Sequence, residues 1–551
     1  MTSLISILVL ILTLSLQAQA GGDPIRMGLA GPPRNLDPRL ATDATSERIN
    51  GLLYRRLIAF DERSLPVPAL ATWEQVAPTH YRFTLGEEGR TFSDGRHLSS
   101  ADVKATFDAV LDPATGSPHR AALTNIVRIA TTGPDGIDFH LREPDPLFPA
   151  TLGLGILPAD LIQRGHPFAQ EPVGSGPLRL VAWPQPGRLV LERREDGQRL
   201  ELLTVKDPNV RVMKLLRGEI DLLQNDLSPE LIGFLRGRDE VAVVSAPGVN
   251  YSYLGLNLED PVTGLLQVRQ ALAHAIDREA IRRHLLKGGA RLAAGLFPPE
   301  HWAGNPDLPG PRYDPARARA LLAELGYGPE RPLRLSYKTS SDPFRLRFAT
   351  VIQAQLAQVG IQARIQSYDW GTFFGDVKAG RFQLYGLTWV GIRTPDIFRY
   401  VFHSTSLPPE GANRGRYRNP EVDRLIATAR AEPDLTRQAA LYRQIQGILL
   451  ADLPYIPLWY EDQFFAARRG LQGYRLAPDG NYDALARVSW TDPDRDPDFE
   501  AEADADPKAK AKAEAETEAT AARKSAAPPG VGLSSRSAIP TVAQSMNSME
   551  N

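Results

Sequence analysis

Tyr81-Arg82-Phe83-Thr84-Leu85, followed by Thr91-Phe92-Ser93-Asp94-Gly95 and Ser99-Ser100-Ala101-Asp102-Val103, sets an alternating segment, a turn and a helix start in close succession. Tyr81, Phe83 and Leu85 alternate with polar residues, the period of a strand with one buried face. Asp94-Gly95 is a turn signal. Ser99 then stands at the N-cap of a helix in which Val103, Phe107 and Val110 share one face, and Asp102 sits where the helix N-terminus favours a carboxylate. The same grammar recurs along the chain. Asp314-Pro315 caps and opens a helix carrying Ala318, Leu321, Leu322 and Leu325 on one stripe, and Gly326 stops it. Phe344, Phe348, Val351, Ile352 and Val359 form another stripe closed by Gly360, then Ile361, Ala363 and Ile365 alternate as a strand. Asn419-Pro420 starts a further helix. Strands and helices intermixed in this way define an α/β chain with sheets in more than one domain.

The chain has 551 residues, enough for two or three well-buried domains. With 63 Lys+Arg against 65 Asp+Glu its net charge is -2, which gives no electrostatic footprint for nucleic acid. It contains no cysteine, which excludes disulfides, thiolate metal sites, a cysteine nucleophile and a lipidated N-terminal cysteine. Leu4 to Leu16 is almost purely apolar and leads to Ala18-Gln19-Ala20, so residues 1–20 read as an export signal cleaved after Ala20, although no Lys or Arg precedes the apolar run. From Asp492 the sequence turns to Asp-Pro repeats, Ala-Lys and Ala-Glu alternation and a Ser/Pro/Ala-rich end. This tail, 492–551, holds 12 acidic and 7 basic residues. It has too little apolar surface to offset its ordering entropy and is expected to be disordered, leaving a slightly basic body.

A catalytic constellation is missing from the sequence. There is no phosphate loop, no G-x-G-x-x-G opening a helix, no H-E-x-x-H and no G-x-S-x-G elbow. The nine histidines are scattered; His274 and His284 flank one helical region but fall on nearly opposite faces of a continuous helix. Ser175, in Gly174-Ser175-Gly176-Pro177, is a tight-turn residue and not a nucleophile. The expectation is no enzyme, no cofactor and no metal.

Five separated segments, in order, resemble one family. Tyr81 to Val103 resembles a strand, F-x-D-G and A-x-D-V signature; Val173-Gly174-Ser175-Gly176-Pro177 resembles a V-G-T-G-P turn with serine for threonine. Val268-Arg269-Gln270-Ala271-Leu272 through Ala275-Ile276-Asp277-Arg278-Glu279, Tyr313-Asp314-Pro315 with Leu321-Leu322 and Gly326-Tyr327, and Pro454-Tyr455-Ile456-Pro457-Leu458 complete the likeness. These are landmarks of the family 5 extracellular solute-binding proteins of ABC importers, which include dipeptide, oligopeptide and nickel receptors. The resemblance implies an α/β, two-lobed periplasmic-binding-protein-like fold of class II type, with an extra subdomain inserted in lobe 1. Its expected boundaries are 21–60, 169–249 and 460–491 for lobe 1, 61–168 for the insertion and 250–459 for lobe 2. Tyr251 to Asn257 and Pro457 to Glu461 are the expected crossings.

In peptide-binding members an extended ligand pairs with strand-like backbone in the cleft. The matching segment here is Leu387, Thr388, Trp389 and Val390. In relatives an aspartate three residues after the tryptophan pairs with the peptide ammonium; here that position is Ile392. An ammonium enclosed without a partner carries a penalty of about 3–5 kcal/mol. Two readings follow. Either Asp396 replaces the missing carboxylate, or the ligand lacks an ammonium and Arg393 with Arg414 face an anionic or neutral group. Trp389 is expected to stack on ligand, and Asn35 with Leu36, in an N-L-D-P loop, to lie beside the cleft. Tyr251 and Asn257 either hydrogen-bond ligand or shape the hinge, and Ser175 lies in the family's turn near the site. Trp370, Phe373 and Phe374 are expected in the domain core.

The function implied is a monomeric, periplasmic receptor that captures a peptide or peptide-like solute by lobe closure and delivers it to an ABC permease, with ATPase subunits acting indirectly. The alternatives are an exported sensor or chaperone on the same fold, or a receptor for an anionic or metal-chelate solute.

Overall fold

The computed structural model describes residues 23–491. The export signal and the tail expected from the sequence lie outside the described residues. No helix among the described residues is long and apolar enough to cross a membrane.

Two long antiparallel strands, Val241–Leu256 and Tyr455–Arg468, form the centre of an eleven-stranded sheet. Leu384–Trp389, Leu333–Ser340 and Ile361–Tyr368 extend the sheet on one side. Leu222–Gln224, Ile25–Leu29, Arg199–Thr204, Arg188–Arg193 and Leu178–Gln185 extend it on the other, and Ala290–Leu292 adds to Tyr455–Arg468. The two extensions use different halves of the long strands. Residues 222–224 pair with 465–467, whereas 384–389 pair with 251–256. Two half-sheets thus share two continuous strands, and this sharing defines the two lobes.

Between the halves the ladder is interrupted: 241–246 pairs with 463–468, pairing resumes at Asn250 with Glu461, and Pro247-Gly248-Val249 is left out of register. Proline has no N–H to give a ladder. At Gly248 the chain passes so close to its partner that a Cβ would lie 2.3 Å from the Glu461 carbonyl oxygen. The break therefore precedes Tyr251, the start of the crossing read from the sequence, because the close approach of backbones is at Gly248.

Each half-sheet is covered on both faces. In the first lobe, Ile25, Met27, Leu189, Leu191, Leu200 and Leu202 pack with Leu52, Leu53 and Tyr54, while Val212, Leu215, Ile220 and Leu235 cover the opposite face. In the second lobe, Leu254, Leu256, Leu335, Ile352, Leu356 and Trp459 fill one face. An aromatic-rich layer with Tyr253, Tyr385, Phe398, Phe402, Tyr442 and Tyr455 fills the other. The strands Ala71–Ala77, His80–Leu85, Gly136–Leu141 and Ile126–Thr132 form a separate sheet. The helix Ser100–Leu111 packs on it through Val103, Phe107 and Val110. Asp102 accepts N–H bonds from Ser99 at 2.7 Å and Ala159 at 2.8 Å, joining the helix end to the chain that returns to the first lobe.

The helix caps fall where the sequence puts them: Asp314 accepts from Arg317 N–H and Asn419 from Glu421 N–H. One element differs. Leu266–Ala275 ends at the extended residue Ile276, and Asp277 caps a new turn, so His274 and His284 do not share a continuous helix.

Gly248→Ala should lower the thermal midpoint, with a destabilisation of about 1–3 kcal/mol from overpacking. Gly233→Ala, in the interior of helix Pro229–Arg236 with nothing within 4 Å of the added carbon, should raise it slightly, by roughly 0.5–1 kcal/mol. Thermal or urea unfolding of the two variants checks the contrast.

Candidate ligand-binding cleft

The strand register brings Ser252 and Thr388 opposite each other on neighbouring strands. Their hydroxyls are 2.6 Å apart, and Ser252 Oγ donates to Glu461 Oε1 at 2.7 Å. Arg345, from helix Pro343–Ala357, donates to both carboxylate oxygens of Glu461, at 2.6 and 3.2 Å. Burial acts to raise the Glu461 carboxyl, but Arg345 outweighs it and holds the group below its ordinary value. Across from this cluster, Asn225 and Asp226 both adopt left-handed backbone, with φ of 58° and 57°. Asn225 is fixed there by accepting the Phe464 N–H at 3.0 Å. Asp226 is exposed to water, yet surrounding protein pushes its carboxyl above the ordinary value despite Arg48, Arg211 and Arg345 nearby. A group reached by water but enclosed by protein lines a cleft.

The lobes meet across that cleft through charged groups. Arg347 of the second lobe pairs with Glu230 of the first at 2.8 Å. Arg393 pairs with Asp479 and lies over the Phe60 ring, 5.2 Å from its centroid. Arg430, from helix Pro420–Ala431, stands between Asp396 of its own lobe and Asp145 of the inserted subdomain, 3.4 Å from each. Two carboxylates share one guanidinium, and the trio carries one negative charge in excess. Burial raises the Asp145 carboxyl to about 6, Arg430 opposes the rise and Asp396 adds to it.

The segment Leu387, Thr388, Trp389 and Val390 becomes progressively more accessible: the first three are half-buried and Val390 is 46% exposed. The Trp389 indole stacks beside Tyr253 at 6.5 Å and meets Tyr400 edge-on at 6.3 Å. The Arg414 guanidinium lies over it, 4.7 Å from the ring centroid, and over Phe374 at 5.0 Å. Phe374 and Trp370 are therefore not simply core as read from the sequence. Trp370 is 48% exposed and stacks on Phe374, while Phe373 alone of the three is fully buried.

Other candidates lie further from accessible surface. Leu36 is fully buried among first-lobe core residues, and the half-buried Asn35 accepts the Asp37 N–H at 2.8 Å. Ser175 is buried, in a turn whose flanking backbone binds Leu53 and Ser93. Tyr251 is buried and stacks on Tyr253. The Asn257 amide donates to the Gly380 and Phe382 carbonyls, both at 3.2 Å, which fastens a loop. Ile392, at the position of the relatives' aspartate, is buried in the aromatic-rich layer. Sequence reading missed Asp145, Arg430, Arg345, Asp226 and Asp479. Arg430 and Asp145 are 285 residues apart, and no local pattern marks either. No group of three or more metal-ligating side chains exists among the described residues.

Shared crossing strands, two half-sheets and a charged cleft between them are the architecture of a binding protein that closes on a solute. The family model "Bacterial extracellular solute-binding proteins, family 5 Middle" matches residues 65–407, and the chain belongs to that family. It is 29% identical over 512 residues to Di/tripeptide-binding protein 2 of Pseudomonas aeruginosa, covering 86% of this chain and 96% of the relative. It is 26% identical over 493 residues to the Dipeptide-binding protein of Escherichia coli, covering 82% and 92%. Among solved structures, the periplasmic binding protein DppA from Helicobacter pylori in complex with the peptide STSA superposes with a TM-score of 0.76 at 25% identity, over 87% of this chain and all of that one. NikZ from Campylobacter jejuni in complex with Ni(L-His) has the same fold, with a TM-score of 0.76 at 24% identity over 85% of this chain and 99% of that one.

An acid whose pKa is higher in the folded than in the unfolded chain binds its proton preferentially when folded. Asp145 therefore lowers stability as pH rises from about 4 through about 6, by up to roughly 3 kcal/mol. Asp145→Asn should raise the thermal midpoint at pH 7.5, and the gain should shrink towards zero at pH 4.5. A difference equal at both pH values would contradict the assignment of the raised carboxyl.

Proposed function

We propose that the chain is the exported, monomeric receptor of an ABC importer for a peptide or peptide-like solute, which it captures by lobe closure and hands to a membrane permease. It performs no chemistry on the solute. Family membership supports the receptor role. The similar proteins, which include di- and tripeptide-binding proteins and a glutathione-binding protein, support the solute class.

The observation that carries the peptide reading is the Asp145, Asp396 and Arg430 trio. With Ile392 at the usual anchor, an ammonium needs another carboxylate. Asp396 is 29% exposed on its side chain and Asp145 10%, and their single shared cation leaves one negative charge without a partner. A ligand ammonium entering the trio restores neutrality and offsets both the burial that raises Asp145 and the smaller repulsion from Asp396. Because Asp145 and Arg430 come from different lobes, the same event favours the closed cleft.

The test is calorimetric titration with a panel of di- and tripeptides, each with a free and an N-acetylated amino end. Free-amino peptides should bind, and acetylation or Asp396→Asn should weaken them by about a hundredfold, the cost of leaving a buried charge unpaired. Equal binding of free and acetylated peptides would overturn the anchor. Binding of none of them, with a metal chelate bound instead, would favour the non-peptide reading.

A further inference from the structure

Arg393 and Asp479 meet directly across the lobes, with no space for a solute between their charges. Arg393 follows the strand Leu384–Trp389 of the second lobe, and Asp479 lies in the loop after Leu471–Gln472 of the first. Each half of the contact is fixed within its own lobe. On the second-lobe side, His301 Nε2 donates to the Arg393 carbonyl at 3.0 Å, while His301 Nδ1 accepts the Ala303 N–H at 3.1 Å. The His301 ring is buried and stacks on Phe297, 4.1 Å between centroids, so the carbonyl of Arg393 is held by a rigid donor. On the first-lobe side, Gln224 donates to the Gly480 carbonyl at 2.8 Å, and Gln463 and the Val249 N–H donate to the Pro478 carbonyl at 3.3 and 3.1 Å. Asp479 Oδ1 accepts the Asn481 N–H at 3.2 Å and its side-chain amide at 2.9 Å, which leaves Oδ2 turned towards Arg393.

Partners that are already positioned lose little conformational freedom when they meet. Enclosure then decides how much their contact counts. The Arg347 and Glu230 side chains are 46% and 45% exposed, and water screens such a pair almost completely. The Arg393 and Asp479 side chains are 25% and 13% exposed. Arg393 also lies over the Phe60 ring of the first lobe, 5.2 Å from its centroid, which adds cation–π attraction from the same side of the gap. The contact differs from the Asp145, Asp396 and Arg430 trio in one respect that governs its role. The trio has one cation for two carboxylates, whereas Arg393 and Asp479 neutralise each other. A solute has nothing to complete there.

We infer that Arg393, received by Asp479 and Phe60, is a latch that favours closed lobes whether or not a solute is present. It sets how tightly every solute is held and not which one is chosen. The inference rests on the receptor reading above and deepens it. When only the closed form binds tightly, apparent affinity scales with the fraction of molecules that are closed, so loss of the latch weakens all solutes by one common factor.

The test begins without solute. Small-angle scattering is recorded on the full chain as wild type, Arg393→Gln, Asp479→Asn and the double variant, each freed of co-purified molecules by reversible unfolding. The wild type should have the smallest radius of gyration. Both single variants should expand, and the double variant should expand no further than either, because the two changes break one contact. Circular dichroism spectra equal to that of the wild type separate opening from lost folding. The same four proteins are then titrated with Ala-Ala-Ala, Ala-Glu-Ala and Ala-Lys-Ala. Each single variant should weaken all three peptides by the same factor, about tenfold for a pair intermediate between surface and buried, leaving the ratios among them unchanged. Equal radii in all four proteins, or expansion in the double variant equal to the sum of the single ones, refutes the latch. A factor that differs among the peptides also refutes it, since Arg393 then touches the solute. If the wild type binds none of the peptides, the peptide reading falls and the scattering alone decides the latch.

Discussion

The whole arrangement depends on two strands that belong to both lobes at once. Val241–Leu256 and Tyr455–Arg468 carry the first lobe's sheet on one half and the second lobe's on the other. A backbone continuous through both cores fixes which side chains face each other across the cleft. The interruption at Pro247-Gly248-Val249 removes hydrogen bonds from the ladder at the junction, where the lobes turn relative to each other when a binding protein of this architecture closes. Glu461 lies at that junction. Its carbonyl is the atom a Gly248 Cβ would strike, and its carboxylate gathers Ser252 and Arg345.

Charge in the cleft is the second organising term, and it is unbalanced where Asp145 and Asp396 share Arg430. Where burial is complete, this chain pairs its charges or gives them carbonyls, as Arg211 and Arg278 illustrate. Where the lobes meet, pairs such as Arg347 with Glu230 are balanced, but Asp145 and Asp396 have one cation between them. Unpaired charge in partly enclosed protein is costly in the absence of ligand. On the proposed reading, a solute ammonium offsets that cost, and the lobe-spanning trio couples its arrival to closure.

Much of the fold was legible because its signals are local. Alternation at Tyr81, Phe83 and Leu85, caps at Ser99, Asp314 and Asn419, and helical stripes each report on a few neighbouring residues. The landmarks in order then supplied the topology that local periods do not contain. The site was legible only in part. Val390 is exposed, Asp396 pairs with Arg430, and the Arg414 guanidinium lies over Trp389. Arg393, read as a ligand contact, is engaged by Asp479 across the lobes. Phe374, read as core, lies under the Arg414 guanidinium. Asp145 and Arg430 left no trace, since an ion pair spanning 285 residues has no spacing rule. Asp226 is an ordinary aspartate in sequence and becomes distinctive only when left-handed backbone places it in the enclosed cleft.

The central claim is that the cleft is electrostatically incomplete until a solute ammonium enters the Asp145, Asp396 and Arg430 trio. The most direct measurement is mass spectrometry of the small molecule that co-purifies with gently isolated protein, released by denaturation and identified by fragmentation. The account predicts a short peptide or peptide-like molecule with a free amino group. A co-purified solute without an ammonium, such as a neutral sugar or an N-blocked peptide, would contradict it.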